Sequence, residues 1–341
     1  MERTIARHSL SGRRVLVTGG AGFIGSHLVR ALVAGEVTVR VLDSFATGFR
    51  QNLKEIIQEV EVIDGDIRDA DACQAACQGV DTVFHLAALG SVPRSISDPL
   101  TTNAVNVQGT LTLLVAARDQ GIRRFVYSSS SSAYGDTPVL PKHEEMRPCP
   151  RSPYAVSKLA AEEYCRAFSR TYGLETVALR YFNVFGPRQD PASQYAAVIP
   201  RFLAALSEGR APVIYGDGFQ SRDFTYVENV VEANLLASTA PGAAGEMYNI
   251  ACGEQITLRQ VLVDLAAQLG RPCVPEYLQD RPGDVRHSQA DITKAYGSLG
   301  YRPKVLFAEG IARTARAFVE MGSRTQAPRD QEPKARAADH T

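Results

Sequence analysis

The sequence carries no net charge: 37 basic residues are matched by 37 acidic ones. That balance lacks the electrostatic footprint of a protein whose partner is nucleic acid or an anionic membrane surface. No apolar stretch approaches the roughly 20 residues needed to span a bilayer. The opening MERTIARHSLSGRR is polar and carries no signal pattern. The six cysteines (Cys73, Cys77, Cys149, Cys165, Cys252, Cys273) form no C-x-x-C pair and have no nearby histidine ladder. They read as reduced thiols, which argues against a zinc site. No internal repeat is visible. The expectation is a soluble, cytoplasmic globular protein with no metal, no nucleic acid and no membrane among its partners. Its 341 residues leave ample material for one large domain or two moderate ones.

What is present is alternation. Strand-like runs at 13–20 (RRVLVTGG), 37–43 (VTVRVLD), 59–67 (EVEVIDGDI), 80–88 (VDTVFHLAA) and 123–130 (RRFVYSSS) are interleaved with helical patterns. The spacing predicts helices over 25–35, 103–121 and 154–173, then a strand over 175–184. Near-continuously apolar strands in such a series imply an α/β fold, a doubly wound parallel sheet covered on both faces. Beyond residue 184 the texture turns rich in Pro, Gly and aromatics, and the elements shorten. Residues 1–183 are therefore expected to form a Rossmann domain, with 225–250 returning to it through a helix at 227–238. Residues 184–322 are expected to form a smaller α/β substrate-binding lobe. The polar, aperiodic stretch 323–341 reads as a disordered tail.

TGGAGFIGS lies between the first strand and the first helix, with glycines at Gly19, Gly22 and Gly25. Glycine there permits a tight turn and lets backbone N–H groups and a helix N-terminus meet a pyrophosphate. Asp43 ends the second strand, where a carboxylate accepts from both hydroxyls of an adenosine ribose and repels a 2′-phosphate. The pattern predicts NAD rather than NADP. Asp66 and Ile67, after a later strand, are placed to hold the adenine.

Tyr154 and Lys158 are one helical turn apart on one face. A neighbouring ammonium stabilises phenolate, so the tyrosine pKa, ordinarily about 10, is expected to fall toward neutrality. That would make Tyr154 a general base for an alcohol proton. The run YSSSSSAYGD (127–136) follows an apolar strand and offers hydroxyls beside it, Ser130 the foremost.

TGGAGFIGS, the Ser130/Tyr154/Lys158 set, RYFNVFGPR (180–188) and RPGDVRHSQAD (281–291) resemble the extended short-chain dehydrogenase/reductase family. Within it they are similar to the nucleotide-sugar 4-epimerases. The resemblance covers about residues 12–320. It implies a tightly held NAD, a UDP-sugar substrate and a homodimer built on helices 103–120 and 154–172. It also implies catalysis by Ser130, Tyr154 and Lys158, with Tyr154 and Lys158 contacting the cofactor as well. The cofactor wall would further include Phe23, Ile24, Leu86, Ala87, Ala88 and Tyr181. On the substrate side the same matching assigns Gly90, Ser91, Ser130, Ser132, Asn183, Val198, Tyr215, Arg222, Arg281, Asp284 and Ser288. Arg222 and Arg281 would fork onto the pyrophosphate, and Asp284 would take the uridine ribose. His85 is assigned to strand-end packing rather than to a metal.

Related 4,6-dehydratases carry Asp-Glu at the positions of Ser131 and Ser132, and decarboxylases carry Glu at the second. Hydroxyls at ordinary pKa cannot replace that acid and base, which disfavours both reactions. Ser288 stands where glucose-restricted epimerases carry tyrosine, and Gly90 where some carry lysine. Both leave room for an acetamido group. The wider match, including AALGSVPRS, is to bacterial UDP-N-acetylglucosamine 4-epimerases of surface polysaccharide synthesis. The expectation is therefore UDP-GlcNAc/UDP-GalNAc interconversion. UDP-glucose and the UDP-uronates GlcA and GlcNAcA are the alternatives, since a C6 carboxylate could pair with Arg94. A dehydratase and a non-catalytic NAD-binding protein stand further off. Ala197 departs from the asparagine found in other epimerases.

Overall fold

The computed structural model describes residues 10–190, 197–279 and 285–326, with side chains through 320. Seven strands form one sheet: β1 (Arg14–Thr18), β2 (Thr38–Asp43), β3 (Val60–Asp64), β4 (Thr82–His85), β5 (Arg124–Ser130), β6 (Glu175–Tyr181) and β7 (Glu246–Ile250). Their order is β7-β6-β5-β4-β1-β2-β3, and every pairing is parallel. Side chains alternate across a strand, so each strand feeds two cores. Val15, Val17, Val126 and Val177 pack with α1 (Phe23–Val33) and α6 (Val227–Thr239). Leu16, Phe125 and Tyr127 pack on the opposite face with α2 (Ala70–Cys77), α3 (Thr110–Asp119) and α4 (Pro153–Tyr172). Strand order reverses between β1 and β4, which opens a crevice at the carboxyl ends of the strands.

Three elements differ from expectation. The helix expected over 103–121 is broken. Pro99–Asn103 is a short helix capped by Asp98, whose carboxylate accepts from Thr101 N at 3.0 Å. Ala104–Gly109 is a π-helical turn, and α3 begins at Thr110. The strand expected to reach residue 184 stops at Tyr181. Asn183 has φ +30°, and Val184–Phe185 pairs instead with Thr225–Tyr226. Helix α2 is too short for its periodicity to show in the sequence; Asp69 caps it by accepting from Asp71 N at 2.9 Å and Ala72 N at 3.2 Å.

α6 and β7 return to the sheet beside β6. Of the remaining C-terminal elements, α5 (Val198–Ser207), α7 (Leu258–Leu269) and α8 (Phe307–Gln326) enclose a third core, to which they contribute Phe202, Val261 and Phe307. α8 continues through residue 323, where the tail was expected to begin, and 327–341 lie outside the described residues. Among the described residues, no helix is long and apolar enough to cross a membrane.

The sheet's most demanding polar contact is buried. Arg180 on β6 donates to both oxygens of Glu162 on α4, at 2.6 and 3.0 Å, and Ser129 on β5 donates to the same carboxylate at 2.6 Å. The two charged side chains are 1% and 0% exposed. Removing one partner leaves the other charge buried alone, so Glu162→Ala is expected to lower the unfolding free energy by about 3–5 kcal/mol. Urea denaturation measures this, and a loss below about 1 kcal/mol would mean the pair does not hold α4 to the sheet.

Candidate active site

A cleft of about 1240 Å³ runs along the carboxyl edge of the sheet. At one end the glycine turn is built by steric necessity. A Cβ on Gly25 would lie 2.1 Å from the Gly19 carbonyl, and one on Gly19, at φ +70°, would lie 2.7 Å from Ala87 N. Gly22, at the N-cap of α1, gives no side-chain cap, and the first turn of α1 holds no acidic residue. Its N–H groups and positive dipole end are thus left for an anion. Phe23 and Ile24 line the same wall.

Asp43 is 7% exposed and braces this turn, accepting from Ala21 N and Phe45 N at 2.8 Å each. Burial raises its pKa, and the two backbone N–H groups pull it back. Asp66 and Ile67 line the cleft beyond it. The Asp66 carboxylate also takes a forked bond from Arg68, at 2.7 and 3.0 Å, which lowers its pKa. Leu86, Ala87 and Ala88 form the wall after β4. Tyr181 lines it too, although its hydroxyl hydrogen-bonds Asn234 on α6.

The centre of the cleft holds Ser130, Tyr154 and Lys158. The Ser130 oxygen accepts from Ser132 N at 3.2 Å and from Ser132 Oγ at 2.9 Å. Its own proton remains to be donated outward, and the Ser130 hydroxyl pulls down the pKa of the Tyr154 phenol. Lys158 donates to the Ser128 carbonyl at 2.8 Å and lies 5.1 Å from the Tyr127 ring.

This corrects the expectation for Tyr154. Burial raises its pKa above the ordinary phenol value, and the nearby Ser130 hydroxyl is what pulls it back down. Lys158 is itself desolvated, and burial lowers it to about 8. In the protein alone the ammonium is held by a carbonyl, and burial outweighs any pull on the phenol.

The support behind these groups was not anticipated. Asn106, in the π turn, accepts from Leu89 N at 2.8 Å and donates to Leu89 O at 3.2 Å and to Ser157 Oγ at 3.0 Å. It ties the cleft loop after β4 to the helix carrying Tyr154 and Lys158. Its signal was an asparagine inside an otherwise apolar helical pattern. Thr110 directs its proton to Asn106 O, so His85 donates to Thr110 through Nε2 (2.9 Å) and accepts from Thr18 at Nδ1 (2.7 Å). Burial, with help from Lys158, pushes His85 down to about 3, so it stays neutral. Among the described residues no cluster could hold a metal.

The far end is lined by Gly90, Ser91, Arg94, Ser131, Ser132, Asn183, Gln189, Ala197, Arg222 and Ser288. Asn183 donates to Asp223 O at 3.2 Å and to Ser288 Oγ at 3.3 Å. Val198 and Tyr215 are not brought to the cleft wall. Val198 packs on the third core, and the Tyr215 ring lies under the Arg201 guanidinium at 5.5 Å. Arg281 and Asp284 lie outside the described residues.

Residues 15–251 match the model of the NAD dependent epimerase/dehydratase family. A UDP-glucose 4-epimerase of Mycolicibacterium smegmatis is 41% identical over 309 residues, covering 89% of this chain and 98% of the relative. A dTDP-glucose 4,6-dehydratase of an Actinoplanes species is 36% identical, covering 88% and 96%. Among solved structures, the UDP-N-acetylglucosamine 4-epimerase of Methanobrevibacter ruminantium M1 in complex with UDP-N-acetylmuramic acid superposes with a TM-score of 0.87. That pair shares 40% identity and covers 91% of this chain and 99% of that one. The chain belongs to the NAD-dependent epimerase/dehydratase family, and its cofactor is NAD.

The residues present fit that cofactor: a turn no Cβ could enter, an uncapped helix start, and a carboxylate at the end of β2. Gly25→Ala is expected to cut the NAD retained by purified protein by roughly tenfold or more, because the new methyl group displaces the turn. Near-UV absorbance of cofactor released on denaturation measures it. Full retention would mean the pyrophosphate does not bind at this turn.

Proposed function

We propose that the chain is a UDP-hexose 4-epimerase, an isomerase whose preferred pair is UDP-GlcNAc and UDP-GalNAc. The observation that carries the reading is the wall Ser130-Ser131-Ser132 beside Tyr154. It offers a phenol and a hydroxyl donor for an alcohol proton, and no carboxyl acid–base pair for elimination at the two positions after Ser130. Bound NAD supplies the hydride acceptor and, once reduced, the donor for the return, and its ring charge favours phenolate.

Tyr154, as phenolate, takes the proton from the sugar O4, and Ser130 donates to that oxygen. Lys158 adds positive charge that favours the phenolate and holds the cofactor ribose. The 4-keto sugar turns over within the cleft, and the same phenol returns its proton to O4. Arg222 supports the pyrophosphate end; Gly90, Ser91, Asn183 and Ser288 surround the sugar. Small side chains at 90 and 288 favour an acetamido group, since a tyrosine or lysine there would occupy its volume. Exposed apolar residues on α4 and the short helices before it (Ile96, Leu100, Val156, Tyr164, Tyr172) support a homodimer.

Assays with UDP-GlcNAc, UDP-Glc, UDP-GlcA and UDP-GlcNAcA test the substrate. The expected result is fastest turnover of UDP-GlcNAc, and Ser288→Tyr should cut it about 10- to 100-fold relative to UDP-Glc by steric exclusion. No turnover of N-acetylated sugars would overturn the reading.

The pH dependence has a definite sign. A base that works as phenolate makes kcat increase with pH, and the Ser130 hydroxyl lowers the Tyr154 pKa. Ser130→Ala should therefore move the rise in kcat to higher pH and lower kcat by about 10²-fold. A pH–rate profile of the variant that is unshifted would remove Ser130 from this role.

A further inference from the structure

Asp223 follows Arg222 directly, yet its side chain points away from the cleft and is 0% exposed. Its two oxygens accept three backbone N–H groups: Cys252 at 2.9 Å, Gly253 at 3.0 Å and Ala290 at 3.1 Å. The first two belong to the turn after β7. The third belongs to a strap, residues 285–291, that lines the cleft through Val285 and Ser288. The charge that bears on Asp223 most is Glu254, which repels it, and burial raises the carboxyl to about 6. Above that pH the ionised group is held buried at a cost to the fold. A residue kept under that cost needs a positional reason.

The strap supplies one. Ser288 N donates to Ser221 O at 3.1 Å, and Ser221 Oγ bonds His287 Nδ1 at 2.8 Å. Gln289 donates to Gly253 O at 2.8 Å, so strap and turn are joined a second time beside the carboxylate. The Asp223 carbonyl accepts from Asn183, which also reaches Ser288. One residue thus sets the distances among Arg222, Asn183 and Ser288.

We propose that Asp223 is a positioning residue for substrate: its carboxylate pins the strap so that Ser288 and Asn183 on one side and Arg222 on the other enclose a UDP-sugar. The inference rests on the reading of the cleft as a UDP-sugar site. An asparagine keeps the size but turns an N–H₂ toward a backbone N–H, which breaks the three-way bond.

Asp223→Asn is therefore expected to raise KM for UDP-GlcNAc about 10- to 100-fold, while kcat falls less than about threefold. Retained NAD should be unchanged, since the glycine turn is on the other side of the sheet's switch point. Affinity for UDP alone, read by calorimetry, should fall in parallel with the KM effect. If Asp223→Asn does not fold, Gln289→Ala removes the second tie alone and should raise KM about threefold.

An unchanged KM and UDP affinity would overturn the proposal, as would loss of NAD with KM unaltered, which would mark a merely structural role. Wild-type protein that binds UDP without turning over any UDP-sugar would instead overturn the functional reading. The calorimetric comparison would still judge Asp223.

Discussion

A guanidinium and a carboxylate taken out of water must meet each other, and Arg180 and Glu162 do so between the sheet and the helix that holds Tyr154 and Lys158. Because Ser129 shares the carboxylate, the contact fixes three elements together: β5, β6 and α4. Ser130 is the next residue along β5, and Tyr154 lies two turns before Glu162 on α4. The geometry between hydroxyl and phenol therefore depends on a charge pair that never touches the cleft. The Tyr134 ring, under the same guanidinium at 4.7 Å, extends the contact to Asn249 on β7 through its hydroxyl.

Around that anchor the cleft is assembled mainly from backbone. Parallel strands end side by side, and the reversal between β1 and β4 parts the connecting loops. Side chains hold the loops in place: Thr18, His85 and Thr110 form one hydrogen-bonded row, and Asn106 clamps Leu89. Asn106 sits in the π turn, a local irregularity placed where the helix meets that loop.

Burial acts in opposite directions on the two central groups. It raises the Tyr154 phenol and depresses Lys158 to about 8, so each is moved toward its neutral form. The protein alone thus holds a protonated tyrosine beside a weakened cation. Reactivity then depends on what enters the cleft.

The sequence by itself determined the sheet and its cofactor. Alternating apolar strands and helices, glycines at 19, 22 and 25, and Asp43 at a strand end are local patterns, readable without any long-range contact. That Ser130, Tyr154 and Lys158 share one cleft was legible for the same reason, as a strand end and one helical turn. Only the tertiary structure decided what depends on burial and long-range contact. The direction of the Tyr154 pKa followed from desolvation, which no spacing encodes. The break at Asn106, the end of β6 at Tyr181, and the exclusion of Val198 and Tyr215 from the cleft wall reflect partners far along the chain. Asp223, invisible as an acid in SRDFTYV, acquires meaning only where residues 252, 253 and 290 converge on it, because hydrogen bonds between distant segments exist only once the fold has brought them together.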